Sequence, residues 1–105
     1  MTTNTPYMPD IRGTTMQTIH VLVEGRVQGV CFRDYTCQKA LSLKLKGWVR
    51  NLPNGSVEIV MSGTDEGLSL MLEWLSQGSP RSRVDNIKTR DASSRELFTT
   101  FDVRY

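Results

Sequence analysis

The 105-residue sequence contains a single histidine and only two cysteines. Cys31 and Cys37 lie six positions apart, a spacing that fits neither a disulfide-stapled scaffold nor the paired ligands of a zinc site. Unpaired thiols of this kind suit a reducing compartment, so a cytoplasmic location is expected. No apolar run approaches the roughly 18 residues needed to span a bilayer. The first 17 residues are polar and lack the apolar stretch of a secretory signal. Neither sign of charge dominates: 13 basic and 11 acidic residues leave a net charge of +2. That balance gives no electrostatic reason to expect a nucleic-acid or membrane partner, while a small anionic substrate remains compatible with it. The lone histidine, His20, falls in an apolar stretch with no nucleophile beside it, and it reads as a solvated residue on an open sheet face rather than a catalytic base.

What the sequence does contain is enough for one domain with a self-sufficient core. Residues 1–17 carry Pro6, Pro9, Gly13 and five threonines without periodicity, and are expected to form a flexible N-terminal tail. The domain is expected over 18–105. Ile19, Val21 and Val23 alternate with His20, Leu22 and Glu24, which predicts a strand over 18–27. Phe32, Thr36, Ala40 and Leu43 fall at helical spacing and predict a helix over 33–43, with Asp34 in its first turn and Cys37 off the buried stripe. Strands follow over 46–52 and 57–61. Between them, Asn54-Gly55 is a strong hairpin signal because both residues tolerate positive φ. A second helix is clearly marked: Thr64 is a good N-cap, Leu68, Met71, Leu72 and Leu75 form an apolar stripe, and Gly78 and Pro80 end it. Trp74 flanks that stripe. Two strands close the chain, one within 83–90 carrying Val84 and Ile87, the other over 98–105 with Phe101 and Val103 inward, joined by a polar turn over 91–96. The order β-α-β-β-α-β, with right-handed crossovers, predicts a ferredoxin-like α/β sandwich: an antiparallel sheet of four strands, room for a fifth short one, and both helices on one face.

The chemistry concentrates in Gly25-Arg26-Val27-Gln28-Gly29-Val30-Cys31-Phe32-Arg33, between the first strand and the first helix. The first N–H groups of a helix have no partner within it, and the helix dipole adds positive potential there. An arginine beside such an end can grip two oxygens of one phosphoryl group. The second segment of interest is Trp48-Val49-Arg50-Asn51. The topology returns this strand close to the loop, so the Asn51 amide is expected near the same anion site.

These two segments resemble the two signatures of the acylphosphatase family. Gly47, Gly55, Val57, Gly63, Gly78-Ser79-Pro80 and a closing aromatic strand extend the likeness over about 18–105. The resemblance implies hydrolysis of small acyl phosphates to carboxylate and inorganic phosphate by a monomer, without metal or cofactor. It implies phosphate binding by Arg33 and by the backbone N–H groups of Gln28, Gly29, Val30, Cys31 and Phe32, with Asn51 positioning the attacking water. No titrating side chain takes part, so activity is expected to vary little between about pH 5 and 8. Lys44 stands where the family often has glycine, which implies a positive φ there. Leu52 replaces a hydroxyl residue found in some members, so no accessory hydroxyl is expected. Cys31 is expected to contribute its backbone rather than its thiol. Two other readings compete. One is a non-catalytic phosphate-binding module of the same family, which the presence of both Arg33 and Asn51 disfavours. The other is an RNA-recognition domain of the same topology, which lacks its stacking aromatics in the 57–61 strand.

Overall fold

Period-two alternation in the strands, an apolar stripe on the second helix and the smaller face of Phe32, Thr36 and Ala40 on the first meet in one core in a computed structural model of the chain. The structure describes residues 16–92 and 98–105. The elements are β1 (Met16–Arg26), α1 (Phe32–Ser42), β2 (Lys46–Asn51), β3 (Val57–Thr64), α2 (Asp65–Gln77), β4 (Arg83–Asp91) and β5 (Phe101–Arg104). β1 begins at Met16, earlier than the expected residue 18. The rest of the expected tail, and most of the expected turn after β4, lie outside the described residues.

Ile19, Val21 and Val23 of β1, Val49 of β2 and Val57, Ile59 and Met61 of β3 point to one face of the sheet. There they meet Phe32 and Ala40 of α1 and Leu68, Met71 and Leu75 of α2. Met71 and Leu75 are fully buried, and removal of each such side chain from water stabilises the fold by about 1.5–3 kcal/mol. Trp74 stacks on Phe32 with ring centroids 6.0 Å apart, linking the two helices. The Thr64 side chain accepts a hydrogen bond from the Gly67 N–H at 3.1 Å, which caps α2 as expected.

The sheet has five strands in the order β4-β1-β3-β2-β5, and it is mixed rather than purely antiparallel. All neighbouring pairs are antiparallel except β2 and β5, which run parallel. The reason is topological. β4 occupies one edge, and the chain crosses to the opposite edge before re-entering beside β2, so β5 arrives in the direction of β2. It covers that edge and buries Phe101. An apolar alternation reads the same in parallel and antiparallel edge strands, so the sequence pattern does not distinguish them.

Three local features differ from or sharpen the sequence reading. In the β2–β3 turn only Gly55 has positive φ, at 93°, whereas Asn54 does not. Pro53 fixes its own φ near −65°, which suits position two of an ordinary turn and leaves the left-handed residue for Gly55. The Asn54 side chain instead accepts from the Ser56 N–H at 3.0 Å. At the end of α1, Lys44 has φ 61°, as the resemblance implied. The Lys44 N–H bonds Leu41 O at 3.0 Å and the Leu45 N–H bonds Ala40 O at 2.9 Å, the double closure that a left-handed residue after a helix makes. His20 is not a freely solvated residue. Its side chain is 12% exposed and its Nε2 donates to Glu58 Oε2 at 2.8 Å, while Arg50 Nε donates to the other carboxylate oxygen at 2.6 Å. Partial burial pushes the Glu58 carboxyl up, but the hydrogen bonds and charges of His20 and Arg50 together outweigh it and hold the group below its ordinary value. On the same open face Trp48 lies beneath the guanidinium groups of Arg50 and Arg104. Among the described residues no helix is long and apolar enough to cross a membrane.

Candidate active site

The loop from β1 to α1 is shaped by two left-handed residues. Gly29 has φ 73° and Cys31 has φ 59°. A Cβ on Gly29 would meet nothing within 4 Å, so backbone conformation, not space, is what calls for glycine there. Cys31 has no such freedom; a non-glycine residue in this region costs about 1–2 kcal/mol and is held there by its surroundings. With Val30 between them at negative φ, the loop alternates handedness. Alternation of this kind is the backbone pattern in which successive N–H groups form anion-binding concavities.

Cys31 is also the N-cap of α1, and no side-chain hydrogen bond closes that end. The Tyr35 N–H returns to Cys31 O at 3.1 Å, so the N–H groups of Phe32, Arg33 and Asp34 precede the first bond of the helix. A cavity of about 300 Å³ opens at this point. Val27, Gly29, Cys31, Phe32, Arg33 and Asp34 form one side, Asn51 and Tyr105 the other. The structure therefore brings Arg33 and Asn51 together from separate elements, with Gly29, Cys31 and Phe32 between them. Gln28 and Val30 do not line this cavity. Val30 packs against the core, and the Gln28 side chain turns toward the β2–β3 turn, where its Nε2 donates to Leu52 O and Ser56 O, both at 2.8 Å.

Two polar groups in the cavity carry unused capacity. Arg33 Nη1 donates to Arg104 O at 3.1 Å, and its guanidinium lies 4.6 Å from the centre of the Tyr105 ring. These contacts use one of the five guanidinium donors and leave the others for an anion. Asn51 Oδ1 is buried and has no hydrogen-bond partner among the described residues. Thr36 Oγ1 and Ser79 Oγ are likewise buried without a partner, but of the three residues Asn51 alone lines this cavity. Among the described residues no group of three His, Cys, Asp or Glu side chains is placed to hold a metal ion.

Cys31 is exposed and Cys37 partly buried. Burial, and then the nearby carboxylates of Asp102 and Asp34, push the Cys37 thiol up, and its Sγ donates to Phe101 O at 3.4 Å. The sequence reading missed Tyr105, the left-handed Cys31 and the reach of the Gln28 side chain. Only the second had any signal, the glycine two positions earlier.

The fold and this loop define a class: a ferredoxin-like α/β sandwich with a cavity, lined by Arg33 and Asn51, where its first strand enters its first helix. Comparison with known proteins narrows it. Residues 19–103 match the acylphosphatase family profile. The chain is 44% identical over 86 residues to an acylphosphatase of Syntrophobacter fumaroxidans, covering 82% of this chain and 89% of the relative. It is 46% identical over 88 residues to one of Methylococcus capsulatus, covering 84% and 96%. The solved structure of an acylphosphatase from Coxiella burnetii superposes with a TM-score of 0.80 at 39% identity, covering 85% of this chain and 93% of that one. The chain belongs to the acylphosphatase family and is a hydrolase.

Proposed function

We propose that this protein hydrolyses the carboxyl–phosphate bond of small acyl phosphates, with its 28–33 loop and Arg33 holding the phosphoryl group and Asn51 orienting the water. The observation that carries this reading is the meeting of Arg33 and Asn51, from separate elements, in one cavity. Backbone N–H groups of the alternating-handed loop and the Arg33 guanidinium would surround the peripheral oxygens, where negative charge accumulates as the bond to the leaving group loosens. A water that donates one hydrogen to Asn51 Oδ1 presents a lone pair to phosphorus. Water oxygen bonds to phosphorus, the bond from phosphorus to the acyl oxygen breaks, and the carboxylate leaves with that electron pair. A carboxamide scarcely accepts a proton, so the proton of the attacking water passes to a phosphoryl oxygen and departs with inorganic phosphate. A carboxylate needs no protonation to leave, so positioning and electrostatics suffice and the reaction needs neither a metal nor a cofactor. The same reading places the protein in the cytoplasm as a monomer, with 18–105 as the catalytic domain.

The test is hydrolysis of benzoyl phosphate, followed by the loss of its ultraviolet absorbance, with and without EDTA. Turnover unaffected by EDTA is expected. Asn51→Ala should lose on the order of 10²–10³ in kcat while inorganic phosphate still inhibits competitively. A folded protein that binds phosphate without turnover is instead a phosphate-binding module. Full activity in Asn51→Ala removes the residue from its assigned role.

A further inference from the structure

The side chain of Gln28 does something that the phosphate cradle does not require. Its Nε2 donates to two backbone carbonyls, Leu52 O and Ser56 O, each at 2.8 Å. Only this orientation of the amide works, because the flipped group would set its oxygen against two carbonyl oxygens. Both acceptors already take a backbone bond within the hairpin. The Leu52 N–H donates to Ser56 O at 2.9 Å, and the Gly55 N–H donates to Leu52 O at 3.1 Å. Gln28 therefore completes the last rung of the β2–β3 hairpin from outside it.

That rung is next to the candidate water holder. Asn51 pairs with Val57 across the hairpin. Leu52 follows Asn51 in the chain, and Ser56 precedes its partner. The carbonyls that Gln28 holds thus adjoin the Asn51–Val57 pair on its turn side, and they join it to the loop whose neighbouring residues, Gly29 and Cys31, line the cavity. Asn51 stands at the end of its strand, with one rung, Leu52 N–H to Ser56 O, between it and the turn, and strand ends fray. We propose that the side chain of Gln28 is a positioning residue, fixing the end of β2 relative to the phosphate loop and so setting where Asn51 holds the attacking water. The side chain's task is then the alignment of nucleophile and phosphorus, separate from the loop donors that line the cavity. This rests on the acyl phosphate reading above.

The experiment compares Gln28→Met, which keeps the length and loses both donors, with Gln28→Glu. In Gln28→Met, kcat for benzoyl phosphate should fall by about 10- to 100-fold, the cost of a small misalignment of reacting groups. Inhibition by inorganic phosphate should stay within about twofold, because the cradle's backbone is untouched. In Gln28→Glu the ionised carboxylate has no proton to give either carbonyl, whereas the protonated acid donates to one. Its kcat should therefore recover as pH falls from about 8 to about 5, a trend absent from the wild-type profile measured alongside. Hydrogen exchange gives a readout independent of turnover. The N–H groups of Leu52 and Gly55 should exchange faster in Gln28→Met, while those of β1 and β3 keep their protection and show the fold to be intact. Wild-type kcat in Gln28→Met, a loss of phosphate affinity as large as the loss of rate, or unchanged exchange at Leu52 and Gly55 overturns the proposal. If the wild type has no turnover, the acyl phosphate reading fails on its own, and the exchange measurement still decides whether Gln28 clamps the hairpin.

Discussion

Replacing Lys44 by glycine should make the protein more stable without touching its chemistry. Lys44 follows α1 with φ 61°, and its backbone N–H and that of Leu45 close the helix onto Leu41 O and Ala40 O. The left-handed conformation is thus needed for two hydrogen bonds, and a lysine adopts it at a cost of about 1–2 kcal/mol. The exposed side chain itself makes no hydrogen bond or ion pair among the described residues. Glycine removes the strain but loses more freedom on folding, which takes back about 0.4–1 kcal/mol. The net gain is about 0.5–1 kcal/mol, or roughly 3–6 °C in Tm for a domain near this size. Thermal melts followed by circular dichroism, with urea unfolding for the free energy, measure it. Lys44→Ala is the control: it removes the same side chain, keeps the strain, and should leave Tm unchanged. A Lys44→Gly variant no more stable than wild type, or Lys44→Ala matching its gain, would refute the reasoning that backbone handedness sets the cost at this position.

The remaining predictions concern the site and its surroundings. Under the proposed function Arg33→Ala should lose more than about 10³ in kcat/KM in the benzoyl phosphate assay, since both binding and transition-state charge stabilisation are assigned to it; a loss confined to KM would show that the guanidinium only binds. Glu58 has a lowered carboxyl, so the stability it contributes is present above its ordinary value of 4.5 and is lost as pH falls through the lower folded value. Glu58→Gln should cost about 1 kcal/mol at neutral pH and flatten the loss of stability on acidification to about pH 3.5, measured by urea unfolding at both values; an acid limb as steep as wild type would place the sensitive group elsewhere. Iodoacetamide should alkylate exposed Cys31 before Cys37, whose thiol is raised and partly buried. Peptide mass spectrometry over a time course reads the order, and first labelling at Cys37 would contradict the described burial.

The parts legible in the sequence were those governed by local rules. The Leu68-Met71-Leu75 stripe, the Thr64 cap and the alternation in β1 each follow from periodicity and hydrogen-bond supply within a few residues. The convergence of Arg33 and Asn51 in one cavity was legible because the element order allows few topologies. What was not legible depended on residues far apart. The parallel pairing of β5 with β2 leaves no mark on the alternation of Phe101 and Val103. Tyr105 lines the cavity only because β5 ends beside Arg33. The left-handed Cys31 is held by the loop and helix around it rather than by any preference of cysteine. His20 read as solvated because its partner, Glu58, comes from another strand.

The placement of β5 has a kinetic consequence. The cavity joins the β1–α1 loop, the end of β2 and the end of β5, and the bond from Arg33 to Arg104 closes 71 positions of chain. Such distant closures cost loop entropy before any contact repays it, and they slow folding relative to local structure. A refolding chain can form its helices and the β2–β3 hairpin early and still have no backing for its arginine. Recovery of activity after dilution from denaturant should therefore trail the recovery of helical signal, with this cavity among the last parts of the molecule to exist.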